Sequence, residues 1–94
     1  MLMKTERIGP EEAKELLSKL MPKYRAPNPR FVRQMADRMR RGEWRVSSES
    51  IKADDEVGLI DGRMRLLAVV ESGATVRFMV LRGSFELFEP PEMN

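Results

Sequence analysis

The apolar positions of this chain fall into short runs of two periods, helical and extended. Ala13, Leu16, Leu17, Leu20 and Met21 recur at helical spacing and mark the buried stripe of a first helix. Gly9-Pro10-Glu11-Glu12 opens it, with a proline near the first position and acids in the first turn, and Pro22 is expected to stop it. Phe31, Val32, Met35, Ala36 and Met39 define the apolar face of a second helix running from Pro29 to about Arg41. Asn28 is its expected N-cap, and Gly42 is placed to end it. A third helix is predicted over Arg63 to Glu71, stopped by Ser72-Gly73.

Between the helices lie extended runs. Thr5 to Ile8 reads as a short first strand. Ser50-Ile51-Lys52-Ala53 reads as a strand and Leu59-Ile60 as its return, around the polar turn Asp54-Asp55-Glu56-Val57-Gly58. Thr75 to Leu81 is the clearest strand, because its β-branched and aromatic residues suit a pleated surface. Trp44-Arg45-Val46 starts a further extended segment, and the tail through Phe85, Leu87 and Phe88 is expected to add an edge strand or dock on a partner. The pattern predicts one small α+β domain over residues 1–94, with a core of about 5–83 and a tail of 84–94. About three helices are interleaved with a short mixed β-sheet.

Composition removes whole classes of chemistry. The 94 residues include no Cys and no His. Disulfides, thiolate ligands, cysteine nucleophiles, Ser-His-Asp triads and His-zinc sites are therefore excluded. No apolar run approaches membrane-spanning length and the start lacks a signal-peptide pattern, so a cytoplasmic protein with no membrane contact is expected.

The net charge is only +2, but it is unevenly spread. Lys23, Arg25, Arg30, Arg33, Arg38, Arg40, Arg41 and Arg45 face only Asp37 and Glu43 in their stretch, while Asp54, Asp55, Glu56, Asp61, Glu86, Glu89 and Glu92 lie beyond it. That asymmetry suggests an anionic partner for the basic stretch. Arg25, Arg30, Arg33, Arg40, Arg41 and Arg45 are the candidate contacts to nucleic acid or to a partner protein. The plainer reading is a solvated face. Trp44 is expected to plug the edge of the core rather than stack a base, and the Asp54-Asp55-Glu56 cluster to be solvated.

The segment Ile60-Asp61-Gly62-Arg63-Met64-Arg65-Leu66 combines a turn with the start of an apolar helix. Glycine permits the turn, and the amides of Arg63, Met64 and Arg65 then open the helix with their free N–H groups outward. With Arg65 beside them, this is a candidate phosphate site. Asp61 has two readings, a cap for the helix (the favoured one) or a Mg²⁺ ligand beside a phosphate. Arg65 likewise either holds an anion or pairs with Asp61.

The order of these segments resembles the ParB N-terminal-like (sulfiredoxin-like) domain, above all small phage and actinobacterial proteins marked by Asp-Gly-Gln-His-Arg-Leu. It runs from the Pro-Glu-Glu helix through Arg-Ala-Pro-Asn-Pro-Arg, Arg-Gly-Glu-Trp-Arg, Glu-Ser-Ile-Lys and Gly-Leu-Ile-Asp-Gly to Arg-Met-Arg-Leu and Glu-Ser-Gly-Ala-Thr-Val. The resemblance implies a Gly-x-x-Arg turn that holds nucleotide phosphates, CTP in chromosome-segregation members and ATP in sulfiredoxins. Asp61, Gly62, Arg65 and Leu66 match the hallmark, and Ala68 matches its longer form. Arg63 and Met64 replace Gln and His. Arg63 also stands where sulfiredoxins need a Cys, which excludes sulfinic-acid reduction, and Met64 takes the place of the first of two adjacent arginines in segregation proteins. Glu49, in Ser48-Glu49-Ser50-Ile51, corresponds to a segment near the pocket in the related small proteins and joins Asp61 as a candidate metal-ligand or acid–base pair.

Three functions are expected from these readings. The first is a non-catalytic, phage-like accessory or regulatory protein that binds nucleic acid or a host protein through the basic helix. The second is a protein binding CTP or ATP with Mg²⁺ at Asp61, Gly62, Arg63, Met64 and Arg65, with nucleotidase, kinase or nuclease activity. The third is an inhibitor or adaptor on a vestigial pocket scaffold. The C-terminal segment is the candidate homodimer contact.

Overall fold

The computed structural model describes residues 2–19, 27–46, 50–56 and 58–83. The elements run in the order β1 (Leu2–Ile8), α1 (Pro10–Ser18), α2 (Pro29–Arg40), β2 (Ser50–Asp54), β3 (Gly58–Asp61), α3 (Arg63–Ser72) and β4 (Val76–Gly83). The fold is α+β, with three helices and one four-stranded mixed sheet.

The strand order is β1-β4-β2-β3. The last strand in sequence is thus central, antiparallel to β1 and parallel to β2, while β2 and β3 form an antiparallel hairpin with an irregularity at Lys52/Ala53. Burial alternates along β4, where Phe78 and Val80 are buried and Arg77 is exposed. Both buried residues belong to one core cluster with Ile51, the neighbour of Val80 in register on β2, and with Ile8, Leu59, Ala13, Leu16, Val32, Ala36 and Met39. α3 packs against both α1 and α2. Leu66, Ala68 and Val69 are buried on it, and the helix is apolar around most of its circumference, as a helix enclosed on several sides requires.

Local signals set the ends of α2. Oδ1 of Asn28 accepts the backbone N–H of Arg30 at 3.0 Å and of Phe31 at 3.4 Å, and Gly42 follows the helix with φ +73°. Other expectations change. β1 starts at Leu2 rather than Thr5, because Leu2, Met3 and Lys4 find partners in Arg82, Leu81 and Val80 far along the chain. α1 ends at Ser18, and the expected continuation through Leu20 and Met21 to Pro22 lies outside the described residues. Trp44, Arg45 and Val46 lie outside any helix or strand, and the continuation of the expected extended segment over 47–49 lies outside the described residues. Phe31, expected in the core, is 55% exposed, since it flanks the stripe whose centre is Val32, Ala36 and Met39. The tail 84–94 also lies outside the described residues. Among the described residues no helix is long and apolar enough to cross a membrane.

Candidate functional site

The structure gathers Asp61, Gly62, Arg63, Met64 and Arg65 where β3 turns into α3. Gly62 is the N-cap, in the left-handed region at φ +111° and ψ 13°. A Cβ on it would overlap Cδ1 of Ile51 and stand 3.3 Å from the Ile51 Cα. Packing of the turn against β2 therefore demands glycine with or without a ligand.

The favoured cap reading of Asp61 is corrected. The N-terminus of α3 has no side-chain cap, and the Asp61 carboxylate instead lies 3.7 Å from the Arg65 guanidinium, four residues on. Arg65 Nη1 also donates to the carbonyl of Ser50 at 3.3 Å. The Arg65 side chain is only 15% exposed, against 50% for Asp61. Arg65 thus ties the helix start to β2, while Arg63 is half-buried and Met64 is 37% exposed beside it. Among the described residues no group of three or more His, Cys, Asp or Glu side chains is placed to hold a metal ion. Glu49, the other candidate ligand, lies outside them.

α2 presents a different surface. Val32, Ala36 and Met39 turn inward, which leaves Arg30, Arg33, Asp37, Arg38 and Arg40 on the exposed side, followed by Arg41. Arg40 pairs with Asp37 at 2.6 Å and donates to the carbonyl of Glu71 at 3.4 Å. Arg41 pairs with Glu43 at 3.1 Å. The Arg38 guanidinium sits 5.9 Å from the centre of the Trp44 ring. Arg30 and Arg33 are exposed with no counter-ion among the described residues, and Arg45 is exposed beyond the helix. Arg25 lies outside the described residues. The exposed ring of Phe31, next to Arg30, is a surface feature that the periodicity had assigned to the core. Its place on the flank of the stripe was the signal that distinguished it.

Trp44 meets Phe78 edge-on, with ring centres 5.6 Å apart at 61°, in keeping with a plug at the core edge. Its indole N–H is buried without a hydrogen-bond partner among the described residues. A cavity of about 520 Å³ lies between the end of α1 and the β2–β3 turn, and Leu16, Lys19, Asp54, Asp55, Glu56 and Arg82 are among the residues that line it. Of these acids Asp54 shapes the turn, its Oδ1 accepting the N–H of Glu56 at 2.8 Å, while the backbone N–H of Asp55 donates to the carbonyl of Gly83 on β4 at 2.9 Å.

Glu6 and Arg82 form a two-pronged pair, at 2.8 and 3.0 Å, that no local pattern announced. The hydrogen bonds from Arg82 hold the Glu6 carboxyl below its ordinary 4.5, against the upward push of burial, and the same bonds raise Arg82. Only the register of β1 on β4 brings the two within reach.

No family model matches the chain, and neither the curated proteins nor the solved structures contain a significant match to it.

Proposed function

We propose that this chain is a non-catalytic binding module of ParB-like fold, acting in the cytoplasm and engaging nucleic acid through the arginine face of α2. One observation carries the reading: Arg30 and Arg33 stand on the exposed side of a well-capped helix without counter-ions among the described residues. Guanidinium groups so placed accept phosphates and release condensed counter-ions. Arg40 and Arg41 are shared with Asp37 and Glu43, so they add to the field while remaining partly neutralised. Phe31 supplies an exposed aromatic surface beside Arg30 on which an unpaired base stacks. Contacts of this kind position a backbone and carry little sequence information, so weak sequence preference is expected.

The experiment is fluorescence anisotropy with labelled duplex and single-stranded oligonucleotides over a salt series. Full-length protein is expected to bind at low salt with a steep negative dependence on salt concentration. An Arg30→Ala/Arg33→Ala variant should reduce that slope by roughly 1–2. Absence of binding at low salt, or an unchanged slope in the variant, removes the proposal.

A second reading, CTP or ATP binding with Mg²⁺ and nucleotidase, kinase or nuclease chemistry, is favoured by the uncapped N-terminus of α3 behind the left-handed Gly62. There the amides of Arg63 and Met64 would meet phosphate oxygens. Calorimetric titration with each nucleotide and Mg²⁺ tests it, and no heat at millimolar ligand removes it.

A further inference from the structure

β1 forms one edge of the sheet, so along its outer side a row of backbone N–H and C=O groups has no partner among the described residues. Met3, Lys4, Thr5 and Arg7 are exposed on it, Met3 to 56%. We infer that this edge is a self-association surface: β1 pairs antiparallel with β1 of a second copy about a two-fold axis at Thr5.

Strand stereochemistry and charge select the register. In an antiparallel pair, directly opposed residues have the same backbone orientation, so the two-fold axis of a symmetric pair passes through a residue and not between residues. Thr5 is the midpoint of Leu2–Ile8, and an axis there pairs the whole strand. It sets Lys4 opposite the partner's Glu6 and Glu6 opposite the partner's Lys4, with Met3 against the aliphatic stem of the partner's Arg7. An axis at Lys4 opposes two lysines, and an axis at Glu6 opposes two glutamates; both also leave strand ends unpaired. The edge is therefore complementary to itself in one register and repulsive in its neighbours. Both Glu6 oxygens already accept from Arg82 and the Glu6 side chain is 16% exposed, so the partner's Lys4 would share a carboxylate that Arg82 holds in its ionised form. Lys4 accordingly has two effects, since a lysine on an open edge also discourages indiscriminate pairing with other strands. A seven-residue strand pair is a small interface, so dissociation on the order of 0.1 mM is expected.

The test is sedimentation equilibrium of the full chain over a concentration series reaching about 1 mM, beside a Lys4→Glu variant. The average mass of the unmodified chain should climb toward twice the monomer, and Lys4→Glu should weaken association roughly tenfold. Because the chain has no cysteine, a Thr5→Cys variant reports the axis directly. It should form a cross-linked dimer under mild oxidation or with a short thiol-reactive linker, and a Gln34→Cys control on α2 should not. A strictly monomeric chain at 1 mM, undiminished association of Lys4→Glu, or equal cross-linking at positions 5 and 34 overturns the inference.

Discussion

The guanidinium of Arg65 lies 3.7 Å from the carboxylate of Asp61, and 85% of its side-chain surface is covered (15% exposed). The exposed half of Asp61 makes the charge attraction small, so the stem burial of Arg65 and its bond to the Ser50 carbonyl carry most of its effect. Arg65→Ala should therefore cost about 1–2 kcal/mol of stability, and Asp61→Asn no more than about 0.5 kcal/mol, measured by urea unfolding. An Arg65→Ala variant as stable as the parent would show that the residue has no structural part at this turn.

Gly62 and Ile51 make a second test of the same junction. Gly62→Ala combines left-handed strain with overlap on a fully buried side chain and should cost about 2–4 kcal/mol. Gly73→Ala, also left-handed at φ +71° but with open space around its Cβ position, should cost about 1 kcal/mol. Ile51→Val removes the clashing Cδ1, so it should be less damaging in the Gly62→Ala background than alone. Additive effects in that double-mutant cycle would contradict the close approach.

Trp44 offers a third. Its buried indole N–H lacks a partner among the described residues, so Trp44→Phe should change stability by less than about 1 kcal/mol. Trp44→Ala, which loses the Phe78 contact and the surface under Arg38, should cost about 2–3 kcal/mol. Circular dichroism is the suitable probe, since this is the only tryptophan in the chain.

The Glu6–Arg82 pair predicts a pH dependence. Glu6 is held below its ordinary 4.5, so its ionised form stabilises the fold. That contribution is complete above the ordinary value and is lost as pH falls through the lower, folded-state value. Arg82 is 38% exposed, and solvent screening limits the pair to about 1 kcal/mol. Glu6→Gln should therefore cost about 1 kcal/mol at neutral pH, with the difference from the parent shrinking as pH falls below the ordinary 4.5 and through the lower folded-state value. A difference constant across that range would assign the effect to packing instead.

Features written in adjacent residues were legible from the sequence, and features written across the chain were not. Asn28 caps α2 and Gly42 follows it because both depend on backbone groups a few residues away. The β2–β3 hairpin around Asp54-Asp55 and the start of α3 after Gly62 are local in the same way. The extension of β1 back to Leu2, its place beside β4 and the Glu6–Arg82 pair depend on partners some 70 residues or more distant, and no periodicity encodes them. Phe31 shows the limit of a stripe read as a set of apolar letters: a residue on its flank has the right chemistry and the wrong direction. At the candidate sites, the turn at Gly62 and the arginines of α2 were visible as residues. Which arginines are engaged by the protein itself became visible only with Asp61, Asp37 and Glu43 in place.

Amide-resolved NMR titration of the full chain with a short duplex or single-stranded oligonucleotide tests the central claim most directly, because it reports where contact occurs as well as whether it does. The α2 account predicts progressive shifts at Arg30, Phe31, Arg33, Gln34 and Arg41 that fade as salt is raised. Shifts confined to Gly62, Arg63, Met64 and Arg65, or none at low salt, would contradict it.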